Sequence, residues 1–230
     1  MANEYKSGEI KSVMLNGPVG QLEALLNVGA HKATHAALVC HPHPLFGGTM
    51  HNKVVYNAMK SLTKFGFHAL RFNFRGTGLS AGVHDEGRGE RDDVRAGIDY
   101  LEKEFHLPII FCGFSFGAAT GLKATCGDPR VVGQISLGTP VSVEGRAYKY
   151  EFLSRCTAPK LFISGSQDQY SPESALREAF ANAAEPKKLV IVPNADHFFV
   201  GKLNLMQAAL EDWVAENFVS NTSPTSRSRV

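Results

Sequence analysis

The sequence predicts an α/β fold, with one mostly parallel, twisted sheet and helices on both of its faces. Two observations carry that prediction. Beyond residue 36, short apolar runs of strand length alternate with longer stretches whose apolar residues recur at helical spacing, as expected of parallel strands joined by helical crossovers. The 230 residues, 43% of them hydrophobic, also match the length at which one such domain buries a full core.

Residues 9–16 and 21–28, separated by Gly17-Pro18, read as an antiparallel hairpin at the start of the sheet. A short buried strand follows at 36–40, a helix at 52–64, a strand at 67–74 and a helix at 89–105 with Val94, Ile98 and Leu101 on one face. The apolar run 107–112 reads as a buried strand and 118–124 as the helix after it. Further strands are expected at 131–137, 160–164 and 188–192, with helices at 172–184 and 203–218. The last helix repeats Leu203, Met206, Leu210, Trp213 and Val214 at a spacing that docks one face on the sheet. Crossovers should be right-handed, and the ligand site belongs at the carboxyl ends of the strands. Residues 1–219 are expected to form a single domain; the tail 220–230, rich in Ser, Thr and Asn, has almost nothing to bury and is expected to be disordered.

Composition excludes some partners. With 24 basic and 22 acidic residues the formal charge is +2, too little to steer the chain onto nucleic acid or an anionic membrane, so a small neutral or mildly charged molecule is the expected partner. Cys40, Cys112, Cys126 and Cys156 show no metal or redox spacing and are expected to be reduced thiols of a cytoplasmic protein. The first residues lack the apolar core of a signal peptide, and no apolar run reaches membrane-spanning length. A homodimer is compatible with the chain, with no face singled out.

The sharpest local signal is Gly113-Phe114-Ser115-Phe116-Gly117, a serine between two glycines, entered from an apolar run and left through helix-forming residues. That context is the strand-turn-helix of a nucleophile elbow. Gly78-Leu79-Ser80-Ala81-Gly82 has the same spacing, but it leads into a polar stretch and reads as a turn. A nucleophilic serine needs a base, and the base needs a carboxylate. His197 is the one histidine after Ser115, just past the strand 188–192. Between them Asp168 fits best as the acid, in a polar turn beyond the strand 160–164; Asp196 is its rival but adjoins His197, and Asp128 suits a turn role.

Oxyanion donors are expected from the Phe116 N–H and from the loop His41-Pro42-His43-Pro44-Leu45-Phe46-Gly47-Gly48. Pro42 and Pro44 have no N–H, which makes Leu45 the first donor after His43 and Phe46 the second. His41 and His43 are a weak metal signal without a third ligand, and orienting this loop is the better role for them. Gly76-Thr77-Gly78 lacks P-loop spacing and its lysine, and no dinucleotide fingerprint is present. Arg71 and Arg75 are expected to pair with Asp92 or Asp93. No metal or cofactor is called for.

Taken together, the segments 41–50, 72–80, 113–117 and Ala195-Asp196-His197-Phe198-Phe199 resemble the α/β-hydrolase superfamily. Within it they are similar to compact bacterial-type hydrolases related to dienelactone hydrolases, over about residues 36–218. The resemblance implies an α/β-hydrolase fold, triad roles for Ser115, Asp168 and His197, and an oxyanion hole of Leu45 and Phe116. Dienelactone hydrolases proper have a cysteine where this chain has Ser115, a departure that favours ordinary carboxylic esters. Where larger relatives carry a lid, residues 138–159 leave room only for a minimal cap, so short acyl groups are expected. Tyr148, Tyr150, Phe152 and Leu153 are candidates for a cleft wall, the last two equally for the core. The same triad would serve a thioesterase, amidase or acyltransferase, and the same fold a binding protein without turnover.

Overall fold

The computed structural model describes residues 5–143 and 146–219, so the tail 220–230 lies outside the described residues. Its elements are β1 (Ile10–Gly17), β2 (Gly20–Asn27), β3 (Ala36–Cys40), α1 (Lys53–Lys64), β4 (His68–Phe72), α2 (Glu90–Phe105), β5 (Ile109–Phe114), α3 (Phe116–Thr125) and β6 (Val131–Leu137). There follow β7 (Ser142–Val143), β8 (Arg146–Ala147), β9 (Lys160–Gly165), α4 (Glu173–Ala181), β10 (Lys187–Val192) and α5 (Leu203–Val214).

Eight strands form one sheet in the order β1-β2-β4-β3-β5-β6-β9-β10. The β1–β2 hairpin and the β2–β4 pair are antiparallel, and every other pairing within this sheet is parallel. Alternate residues of the strands divide the core in two. Leu38, Leu70, Phe111 and Phe162 face Val94, Ile98 and Leu101 of α2 and Leu122 of α3. Val39, Ala69, Cys112 and Ile163 face Val55, Ala58 and Leu62 of α1 and Met206, Leu210 and Trp213 of α5. Each buried Val, Leu, Ile, Phe or Met among them contributes about 1.5–3 kcal/mol, so neither helical layer is dispensable to a marginally stable domain.

Local chemistry sets the ends. The Asn52 side chain accepts the Val54 N–H at 2.9 Å and caps α1. β5 starts later than expected because Pro108 has no N–H for the ladder. α5 stops at Val214 and gives way to a wider π-type turn, Ala215–Val219, which sets the Phe218 ring 5.4 Å from that of Trp213.

The expectation of reduced thiols is corrected at one pair. Cys126 and Cys156, at the ends of α3 and of the 3-10 turn Glu151–Arg155, are joined as a disulfide with Cα atoms 5.2 Å apart. They are separated by 30 residues in sequence, and the fold brings the two element ends together. Cys40 and Cys112 are free and buried. Among the described residues no helix is long and apolar enough to cross a membrane. Parallel register brings the strand ends to one edge: Cys40 lies beside Gly113, Phe114 beside Leu137, and Gly165 beside Val192.

Candidate active site

Ser115 stands between β5 and α3 at φ 54° and ψ −122°, a conformation that costs a non-glycine residue of order 1–3 kcal/mol and persists only where its surroundings impose it. The surroundings are specific. The Ser115 N–H donates to Leu137 O at 2.9 Å, and the Ser115 carbonyl accepts from Ala119 N–H at 3.1 Å. A Cβ at Gly113 would lie 2.6 Å from the Ala118 backbone, and one at Gly117 2.4 Å from the His41 carbonyl. Glycine at both positions therefore lets the turn close beneath the serine. Ser80, in the second copy of the spacing, is buried; its hydroxyl donates to Asn73 O at 2.6 Å and accepts from Glu23 N–H at 3.0 Å. It staples a turn.

His197 Nε2 lies 2.9 Å from Ser115 Oγ, and His197 Nδ1 lies 2.8 Å from Asp168 Oδ2. The three side chains come from three different connections at the carboxyl edge. Asp168 is fixed from its other side, where Oδ1 accepts the N–H groups of Tyr170 and Ser171 at 2.9 and 3.2 Å. The imidazole is wedged among aromatic rings, 4.8 Å from Tyr170, 5.0 Å from Phe114 and 5.2 Å from Phe198 between centroids. A carboxylate at Nδ1 holds the tautomer that leaves the Nε2 lone pair facing the hydroxyl. Asp196 is turned away, its Oδ1 accepting Val200 N–H at 2.9 Å, and Asp128 is held by Arg130.

The loop after β3 is built on His41. Its Nε2 accepts the Phe74 N–H at 3.0 Å, so Nδ1 carries the proton and donates to Pro42 O at 2.6 Å. Burial, opposed by the bond to Pro42, holds its pKa down at about 4. Asn73 Oδ1 adds a second tie by accepting Met50 N–H at 2.9 Å. Arg75 pairs with Asp93 at 2.7 Å, whereas Arg71, expected to find a carboxylate, donates to Met50 O at 2.9 Å.

Leu45 does not meet the expectation placed on it. The 3-10 turn Pro44–Phe46 aims the Leu45 N–H at His43 Nδ1, 3.3 Å away, and leaves the residue 69% exposed. The Phe46 and Gly48 N–H groups both donate to the His43 carbonyl, at 3.1 and 3.0 Å. Among the described residues neither the His43 N–H nor the Phe116 N–H has an acceptor. The prolines lead the sequence reading forward to Leu45, whereas the N–H left without an acceptor is that of His43, the residue between them. No cluster of three metal-ligating side chains occurs among the described residues.

Residues 36–217 match the alpha/beta hydrolase domain family. The chain belongs to the alpha/beta hydrolase family. An uncharacterized protein of Rickettsia prowazekii is 32% identical over 209 residues, which cover 88% of this chain and 87% of that one. An alpha-beta serine hydrolase homologue from Coxiella burnetii is similar in structure, with 34% identity and a TM-score of 0.82, over 92% of this chain and all of that one. A serine hydrolase without a lid from Xanthomonas campestris is 31% identical with a TM-score of 0.79, over 93% of this chain and 97% of that one.

In this alpha/beta hydrolase a cavity of about 430 Å³ opens at Ser115, bounded by His43, Phe116, Pro140, Tyr148, Tyr170 and Phe198 among others. Leu45 is not among its walls. The connection from β6 to β9 supplies the small hairpin β7–β8 and the turn Glu151–Arg155. Of its four candidate wall residues, Tyr148 reaches the cavity. Tyr150 is buried with its hydroxyl donating to Pro140 O at 2.7 Å, Leu153 joins the core, and Phe152 packs against it.

Proposed function

We propose that this hydrolase cleaves small, short-acyl carboxylic esters through a Ser115-His197-Asp168 triad and an acyl-enzyme. The observation that carries the reading is the continuous relay, 2.9 Å from Ser115 Oγ to His197 Nε2 and 2.8 Å from His197 Nδ1 to Asp168 Oδ2, at the mouth of a cavity. In the forward step His197 Nε2 takes the hydroxyl proton while Ser115 Oγ bonds to the ester carbon. Asp168 stabilises the resulting imidazolium, which then protonates the leaving alkoxide as the carbon–oxygen bond breaks. Water, deprotonated by the same imidazole, releases the acid and restores the serine. Developing charge on the carbonyl oxygen is met by the Phe116 N–H and, in place of Leu45, by the His43 N–H, each worth about 10²–10³ in rate. Short acyl groups suit a cavity of about 430 Å³ with so little cap above it.

The test is hydrolysis of p-nitrophenyl acetate, butyrate and octanoate by the wild type and by Ser115→Ala, with fluorophosphonate labelling of both. Turnover and labelling should vanish together in the variant, and the rate should fall toward octanoate. A wild type that neither labels nor turns over would put the reading aside.

A further inference from the structure

A second cavity, of about 280 Å³, adjoins the first and shares Phe116 and Tyr148 with it. Its charge is one-sided: Arg88, Arg91, Lys123, Arg146 and Lys149 line it against one carboxylate, Glu86. Arg88 is engaged by Asp85 and Glu86. Arg91, Lys123, Arg146 and Lys149 make no ion pair among the described residues, on a chain whose whole formal charge is +2. Like charges gathered at a concave surface raise its potential and focus it on an incoming anion. Arg146 stands at the junction of the two cavities. One guanidinium nitrogen is 3.1 Å from His43 Nε2, and the group lies over the rings of Phe116 and Tyr148, 5.6 and 5.9 Å from their centroids.

We propose that this cavity is an anion subsite for the acyl arm of the substrate, which carries a carboxylate or phosphate group several bonds from the reacting carbonyl. The proposal rests on the ester-hydrolase reading above. The acyl arm is assigned because the leaving oxygen must reach His197 to be protonated, and no wall of the basic cavity comes from the connections that carry Asp168 and His197. The arm that does not leave extends the other way, past Phe116, and its anionic end meets Arg146 first and then Arg91, Lys123 and Lys149. The cations thus select substrate by charge, while the chemistry at Ser115 is common to every ester.

The experiment compares kcat/KM for the mono-p-nitrophenyl ester of glutaric acid with that for its carboxamide-capped neutral isostere, and with a phosphonate-terminated counterpart. At low salt the wild type should prefer either anionic ester over the isostere by about tenfold, mostly through KM, and added salt should erode the preference. The Arg91→Ala/Lys123→Ala variant should bring the ratio of anionic to neutral ester close to one, a change that general destabilisation does not produce. An isostere cleaved as fast as the anionic esters, or a ratio untouched by the double variant, would overturn the subsite. A charge preference found only on the leaving arm, with acetyl esters of glycerol phosphate and glycerol, would overturn the acyl assignment. If no ester is turned over, the hydrolytic reading fails separately, and calorimetry with glutarate decides the subsite: binding weakened in the double variant sustains it, and no binding to the wild type ends it.

Discussion

Gly138 lies against the imidazole of His197: at φ 52° it leaves so little room that a Cβ would come within 3.1 Å of both Cε1 and Nδ1 of the ring. An alanine there adds about 1–2 kcal/mol of backbone strain and presses on the ring whose two nitrogens face Ser115 and Asp168. The ring must give by a few tenths of an ångström, where a displacement of the order of 1 Å at a reacting group would cost about a hundredfold. Gly138→Ala should therefore lower kcat by about three- to tenfold with KM little changed, alongside a modest fall in Tm. Steady-state kinetics on p-nitrophenyl butyrate will check it, and a kcat within a factor of two of wild type would show that the ring does not depend on this glycine.

Asp168 and Asp196 differ in what they face, the first meeting His197 Nδ1 and the second the Val200 N–H. Asp168→Asn should keep the fold but favour the wrong tautomer of His197, with kcat reduced by about 10³–10⁴. Asp196→Asn should stay within a few-fold of wild type, because among the described residues that carboxylate accepts only the Val200 N–H. The opposite pattern, measured on the same ester, would reassign the acid.

Acid should destabilise the protein through His41. Its pKa in the folded chain is about 4, held below the ordinary 6.5 by burial, so between those values the unfolded chain binds more protons. Stability contributed by the neutral ring is complete above about pH 6.5 and is lost as pH falls toward about 4, a change of order 3 kcal/mol. His43, held near 4 by burial and the Arg146 cation, is more exposed and adds less. Urea unfolding at about pH 7 and about pH 4.5 should show the loss, and His41→Gln, which offers the same acceptor and donor, should show less of it. Equal acid sensitivity in both proteins would place the cause elsewhere.

The bond between Cys126 and Cys156 closes a loop 30 residues apart in sequence. Cys126→Ser/Cys156→Ser should lose about 2–4 kcal/mol in denaturant, and the wild type should lose the same amount on reduction. No difference between oxidised and reduced wild type would mean that the two sulfurs stay apart in solution.

The strands and the three polar residues of the relay were legible because each lies where a continuous apolar run breaks into Gly, Pro, Asp or Ser. Ser115, Asp168 and His197 all sit at such breaks, and parallel register then gathers the breaks at one edge. What escaped depends on direction rather than on position. Position alone makes the Leu45 N–H available, but a 3-10 turn points it at His43 Nδ1. Charge alone matches Arg71 to a carboxylate, although its depth in β4 leaves it the Met50 carbonyl. Cys126 and Cys156 carry no local sign of each other, since they lie 30 residues apart and meet only through the tertiary fold. The basic cavity was hidden in a net charge of +2, an average over a surface whose cations are unevenly placed.

The small hairpin and single turn between β6 and β9 also bear on time. Many enzymes of this size wait on a moving segment to admit substrate or free product. Here the cavity at Ser115 is walled by Tyr148 from that short connection and by Phe198 from the loop of His197. Thickening the solvent with sucrose should then slow only the encounter, lowering kcat/KM for the fastest esters and leaving kcat at the pace of bond making and breaking.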